Sequence, residues 1–171
     1  MKKLLLGGLA LAVLGLIAGL YHGATCPTDP APRAAVEAYL RAMQTQRFTD
    51  AFDQVTARMT DGRARADWAA LQAKMFEMAA VKLSDPDVRT AHRAAVNRFQ
   101  CAPVATVPNV LRAADVLNNQ GSTEFELYTV ILADGHWRID SQETLFEEAR
   151  VHEWFPQDEI PTYKGTAPVD P

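Results

Sequence analysis

The run Thr123 to Ala133 (TEFELYTVILA), then Asp134-Gly135, then His136 to Ser141 (HWRIDS) restricts this chain more than any other feature. The first run is β-branched and aromatic with period-two alternation, the pattern of a strand. Asp and Gly both tolerate positive φ, which a two-residue hairpin turn of the primed type requires. The turn fixes the register: Ala133 opposes His136, Leu132 opposes Trp137, and Val130 opposes Ile139. Successive side chains point to opposite faces. Tyr128, Val130, Leu132, Trp137 and Ile139 therefore share one face, expected to lie under helices. The other face carries Phe125, Leu127 and Ile131 beside Thr129, Arg138 and Asp140. Three large apolar residues are too many for a face left to water. Its cover is either a partner subunit, making a homodimer through the sheet, or the chain's own C-terminal segment.

Upstream, helical spacing dominates. Val36, Tyr39, Leu40 and Met43 form one apolar stripe, predicting a helix from Pro32 or just after it. Thr49 is a good cap for a second helix through Ala51, Phe52 and Val55. Asp61-Gly62 breaks the pattern. Trp68, Leu71, Met75 and Met78 predict a third helix. Residues 84–99 admit a helix started by Ser84-Asp85-Pro86, or a lead into the β region. Val104 to Leu117 reads as a strand made irregular by Pro108, and residues 118–121 as a turn. Residues 143–155 predict a short acidic helix. Pro156, Pro161, Pro168 and Pro171 oppose regular structure beyond it. The fold class is α+β: N-terminal helices on a curved antiparallel sheet, a cone-shaped α+β barrel, preceded by one hydrophobic N-terminal helix.

Lys2 and Lys3 precede an uncharged run, Leu4 to Leu20. A basic start, an apolar stretch and small residues form the order of an export signal. The run supports removal near Gly23-Ala24, or retention as a membrane anchor through residues 4–20. A third fate is lipidation at Cys26, since Gly23-Ala24-Thr25-Cys26 resembles in part a bacterial lipoprotein signal site. Each fate puts the rest of the chain outside the cytoplasm, in the periplasm or an equivalent compartment. That setting is oxidising, so Cys26 and Cys101 could pair. Disulfide and lipid exclude each other at Cys26. The organisation expected is 1–25 signal or anchor, 26–32 Pro-rich linker, 33–142 α+β domain, and 143–171 short helix and Pro-rich tail.

The helix pair (AVEAYLRAM, then RFTDAF) and the closing Asp134-Gly135-His136-Trp137-Arg138-Ile139 together resemble the nuclear transport factor 2-like superfamily, of ketosteroid isomerase and polyketide cyclase type. The resemblance covers about a third of the exported part, residues 27–171. It implies a conical cavity under the helices. It also implies that Tyr39 stands where the isomerase-type enzymes place an oxyanion-holding tyrosine. Their chemistry needs a carboxylate base soon after the second helix. Here that region offers Asp61, in a turn between arginines. Asp115, Glu124 and Glu126 are the acidic candidates further along.

Other chemistries find little support. The net charge of −4, from 17 Lys+Arg against 21 Asp+Glu, opposes nucleic-acid binding. The four histidines have neither HxH nor i, i+4 spacing, so no metal site is predicted. No cofactor motif or G-x-S-x-G is present. The reading is a non-catalytic, membrane-associated extracytoplasmic domain that binds a protein partner or a small apolar ligand. Its pocket residues would be Tyr39, Phe52, Trp68, Tyr128 and Trp137. The alternative is a small isomerase or cyclase using Tyr39 and a carboxylate in the cone cavity.

Overall fold

The computed structural model describes Cys26, residues 29–97 and residues 100–161. The expected export segment, residues 1–25, and the last ten residues of the Pro-rich end lie outside them. Among the described residues no helix is long and apolar enough to cross a membrane.

Helix α1 spans Pro30–Gln44. It opens at Pro30, ahead of the predicted Pro32, because Asp29 Oδ1 accepts from Ala31 N at 2.9 Å. Pro30 and Pro32 sit in the first turn, where no amide donor is needed. Val36, Leu40 and Met43 are buried and Tyr39 partly so, as the stripe requires. Thr45 ends the helix, returning its N–H and its hydroxyl to Arg41 O. A short α2 (Phe48–Phe52) and a long α3 (Arg65–Ala79) follow.

The stripe expected on α3 does not pack. Trp68 is buried, but Leu71, Met75 and Met78 are 37%, 48% and 65% exposed. Trp68 meets Phe52 and Phe76 meets Phe48, so α3 docks on α2 through a different line of side chains. The helix is rich in Ala and Met all round, so spacing alone could not select the face that packs.

The main sheet has five strands, with the short β1 (Lys82–Leu83) and β2 (Asp87–Val88) both on the outer edge of β5 and then β6 and β7 in order, and it curls strongly into an antiparallel half-barrel. Its long strands are β5 (Val104–Ala114), β6 (Ser122–Ala133) and β7 (His136–Leu145). The β6–β7 register is the one the turn dictates, and Asp134 and Gly135 both take positive φ. Strand β7 runs past the predicted Ser141 to Leu145, with a bulge opposite Thr129/Val130. Pro108 sits inside β5, where its carbonyl accepts from Arg89 N. Its missing donor thus faces the interrupted outer edge of β5, and the β5–β6 ladder loses no bond.

Residues 84–97 are not the helix that Ser84-Asp85-Pro86 suggested. Residues 82–92 run extended along the free edge of β5 instead. β1 (Lys82–Leu83) and β2 (Asp87–Val88) pair with it, and His92 and Thr106 exchange two backbone hydrogen bonds. An open edge of unpaired N–H and C=O groups is costly. Covering it, while burying Val88 in the core, outweighs the local helix signal. β3 (Ala95–Asn97) and β4 (Gln100–Cys101) form a separate small ribbon.

The two sheet faces have separate cores. Under α1 lie Val107, Tyr128, Val130 and Ile139, with Trp137 packed at their margin. On the far side Val110, Phe125, Leu127 and Leu145 meet Val151 and Phe155. Val151 belongs to α4 (Glu148–Trp154) and Phe155 follows it, so the chain's own C-terminal segment covers Phe125 and Leu127.

Candidate functional site

The concave face of the half-barrel is apolar near α1 and polar further along. Strand parity puts Glu124, Glu126, Tyr128 and Val130 on that face, and cross-strand pairing puts Asn109 opposite Glu126 and Gln142 opposite Tyr128. Glu126 is 1% exposed. Three donors converge on its carboxylate. Asn109 Nδ2 and the Tyr128 hydroxyl donate to Oε2 at 2.8 and 2.9 Å, and Gln142 Nε2 donates to Oε1 at 2.5 Å. Burial pushes the Glu126 carboxyl above the usual carboxylate range, and the Glu124 charge adds to the push. The three hydrogen bonds pull against it, because they favour the ionised form.

Tyr39 reaches toward this cluster from α1. Its ring meets that of Tyr128 edge-on at 6.3 Å. Burial, then the Glu126 charge, pushes its pKa up to about 12. Tyr128 is raised well above its ordinary value, by burial first and by Glu126 next. Both phenols are therefore neutral at physiological pH.

The five expected pocket residues fall in three places. Tyr39 and Tyr128 meet under α1. Phe52 and Trp68 pack together at 5.8 Å between α2 and α3. Trp137 stands at the sheet margin with the Arg93 guanidinium 4.9 Å above its ring. Tyr39 bridges the first two groups, since it packs against both clusters. Among the acidic candidates, Asp61 takes positive φ beside Gly62 in a turn. Asp115 Oδ1 accepts from the amides of Leu117 and Asn118. Glu124 accepts from Ser122 Oγ. Glu126 alone of the four is held beneath the helices against a tyrosine. Its signal lay in the strand itself: it is the residue two before Tyr128, on the face already assigned to the core.

Cys26 and Cys101 are joined by a disulfide across a sequence separation of 75. It ties the segment before α1 to β4. Asp29 adds an ion pair to Arg93 at 3.2 Å. Among the described residues no group of three His, Cys, Asp or Glu side chains is placed to hold a metal ion.

Four cavities are walled by described residues. One of about 430 Å³ is walled by Arg33, Arg89, His92 and Trp154. Two others, of about 490 and 370 Å³, adjoin at Asp53 and Arg138. A fourth, of about 560 Å³, lies beside Cys26 and Arg93. Tyr39, Glu126 and Tyr128 line none of the four.

No protein-family model matches this sequence, and no curated protein is significantly similar to it. Solved structures do share its shape. A domain of unknown function with a cystatin-like fold from Nostoc punctiforme superposes with a TM-score of 0.50 at 17% identity, over 74% of this chain and 83% of that one. A ketosteroid isomerase-like protein from Erwinia carotovora atroseptica gives 0.46 at 15% identity, over 68% of this chain and 95% of that one. Bdellovibrio bacteriovorus Bd1075 gives 0.45 at 11% identity, over 66% of this chain and 38% of that longer chain. At 17% identity the likeness to the cystatin-like domain is one of fold alone: an α+β domain whose helices pack on a curled antiparallel sheet.

Proposed function

We propose that this chain is a non-catalytic domain of the nuclear transport factor 2-like type, exported and membrane-associated through residues 4–20, that binds its partner on its outer surface. The observation that carries the reading is the state of Glu126. Its two oxygens take three donors from the protein itself, and none of the four cavities is lined by it or by Tyr39. A general base needs a lone pair aimed at a substrate proton. Here Asn109, Tyr128 and Gln142 take three of its roughly four acceptor positions, so the cluster acts as a polar lock beneath α1. Because Tyr39, Glu126 and Tyr128 line none of those cavities, whose walls carry arginines, a protein partner or polar ligand on these clefts fits better than a small apolar ligand. The Cys26–Cys101 bond supports an oxidising compartment, and it argues for a retained or cleaved export segment over an acylated Cys26.

The test uses the full chain purified from its own membranes. Intact mass should show an oxidised Cys26–Cys101 pair and no acyl group. Free thiols in a soluble cytoplasmic fraction, or acylated Cys26, would overturn the export and anchoring assignments. Isomerisation of an unsaturated ketone, lost in Tyr39→Phe and Glu126→Gln, would overturn the non-catalytic one.

A further inference from the structure

The hairpin turn sends Arg138 to the face of β7 opposite Trp137 and Ile139. The segment after α2 meets β7 there. Ile139 N donates to Gln54 O, and Thr56 N donates to Ile139 O, both at 2.9 Å. This seats Arg138 in the wall shared by the adjoining cavities of about 490 and 370 Å³. Thr56, Thr60 and Arg63 line the smaller one.

Two carboxylates beside the cleft, Asp53 and Asp140, are already engaged. Asp53 is held by both nitrogens of an Arg65 fork, at 2.9 and 2.6 Å. Asp140 accepts from Thr56 Oγ1 at 2.9 Å and from Arg58 Nη1 at 3.2 Å. Two cations line the same cleft, Arg63 and Arg138. Among the described residues neither makes an ion pair, and Asp53 acts on Arg138 only as a more distant charge. Arg138 Nε is shut off from solvent and has no hydrogen-bond partner. An orphaned donor of this kind calls for an acceptor that completes the site. The comparable cleft beside Arg89 differs, because that guanidinium already bonds Asp87 and Asp158.

We infer that the cleft between Arg138 and the 55–63 segment binds a small oxyanion, a carboxylate or phosphate, held by Arg138 and Arg63. A guanidinium presents a fixed fork of donors that matches the two oxygens of either group. The cavity falls in the size range of small-molecule sites, roughly 300–1,000 Å³. The site stands independently of the export and partner-binding reading.

The experiment is amide NMR titration of the purified chain with inorganic phosphate and, separately, with acetate at low salt. Arg138→Gln, Arg63→Gln and Arg58→Gln are titrated alongside. Saturable shifts are expected at Thr56, Gly62, Arg63 and Arg138 with at least one anion. Arg138→Gln and Arg63→Gln should weaken them by roughly ten-fold or more, while Arg58→Gln, already paired with Asp140, leaves them nearly unchanged. Which anion saturates identifies the preferred group. Arg63 is exposed, so its variant tests the site even if Arg138→Gln perturbs the fold. No saturable shift with either anion overturns the inference, as does equal weakening in Arg58→Gln, which marks general charge attraction.

Discussion

Tyr128 and Glu126 stand two residues apart on β6, point to the same face, and share a hydrogen bond of 2.9 Å inside the cone. Each is almost without solvent contact. A carboxylate in that position is tolerable because Asn109 and Gln142 complete its acceptor sites, and the residual cost appears as its raised pKa.

The pH dependence of stability follows. The folded pKa of Glu126 lies above its usual 4.5. The fold therefore retains a proton that the unfolded chain releases. The stability from this group is complete below the unfolded pKa and is lost as pH rises through the folded one. Asp53 and Glu143 are shifted the other way, and their contribution is lost only as pH falls through their lowered values. Urea denaturation from pH 4.5 upward should show wild-type stability declining with pH, and Glu126→Gln should flatten the decline. Parallel slopes for the two proteins would exclude Glu126 as its source.

The two tyrosines should separate by mutation. Tyr128→Phe removes a donor to a buried carboxylate and is expected to cost about 1.5–3 kcal/mol. Tyr39→Phe removes a hydroxyl that makes no hydrogen bond to Glu126 and should cost less than about 1 kcal/mol. Titration of tyrosinate absorbance gives a second readout. The signal that wild type has and Tyr39→Phe lacks should rise near pH 12, not near 10. A phenol titrating near 10 would mean that Tyr39 is open to solvent.

The disulfide closes a loop of 75 residues, and such a loop constrains the unfolded chain by about 4 kcal/mol. Cys101→Ser should lower stability by about that amount under oxidising conditions. Dithiothreitol should then destabilise wild type to the same level and leave the variant unchanged. A wild type indifferent to reductant would show that the bond does not form in solution.

What could be read from the sequence divides along a physical line. The β6–β7 hairpin was legible because Asp134-Gly135 is a local signal and strand period makes every later position follow from it. The α1 stripe was legible because one face of that helix alone is apolar. On α3 the Ala and Met residues surround the axis, and tertiary contact with Phe48 and Phe52 chose the packed face. Residues 84–92 were illegible for a related reason. Their conformation is imposed by the open edge of β5, which lies further along the chain. The cluster around Glu126 was half legible: parity put it on the core face, but Asn109 and Gln142 come from two other strands, the first joined by no tight turn that fixes its register and the second shifted by the bulge.

The far face of the sheet gives the last prediction. Phe125 and Leu127 need a cover, and the sequence leaves open whether a partner subunit or the C-terminal segment supplies it. In the fold Phe155 packs on Phe125 with ring centroids 5.0 Å apart, and Val151 joins the same cluster. This cover is short, since α4 has only 7 residues, and Val151 and Phe155 are its fully buried side chains, with Trp154 and Ile160 packed beside them. Val151→Asp with Phe155→Asp buries two charges against apolar surface, so the segment should release. Phe125, Leu127 and Leu145 then form an uncovered apolar face of the kind that drives association. Sedimentation should show the double variant self-associating in a concentration-dependent way, with the wild type sedimenting as the smaller species at the same concentrations. A double variant that matches the wild type in size and stability would mean that Val151 and Phe155 do not hold the cover.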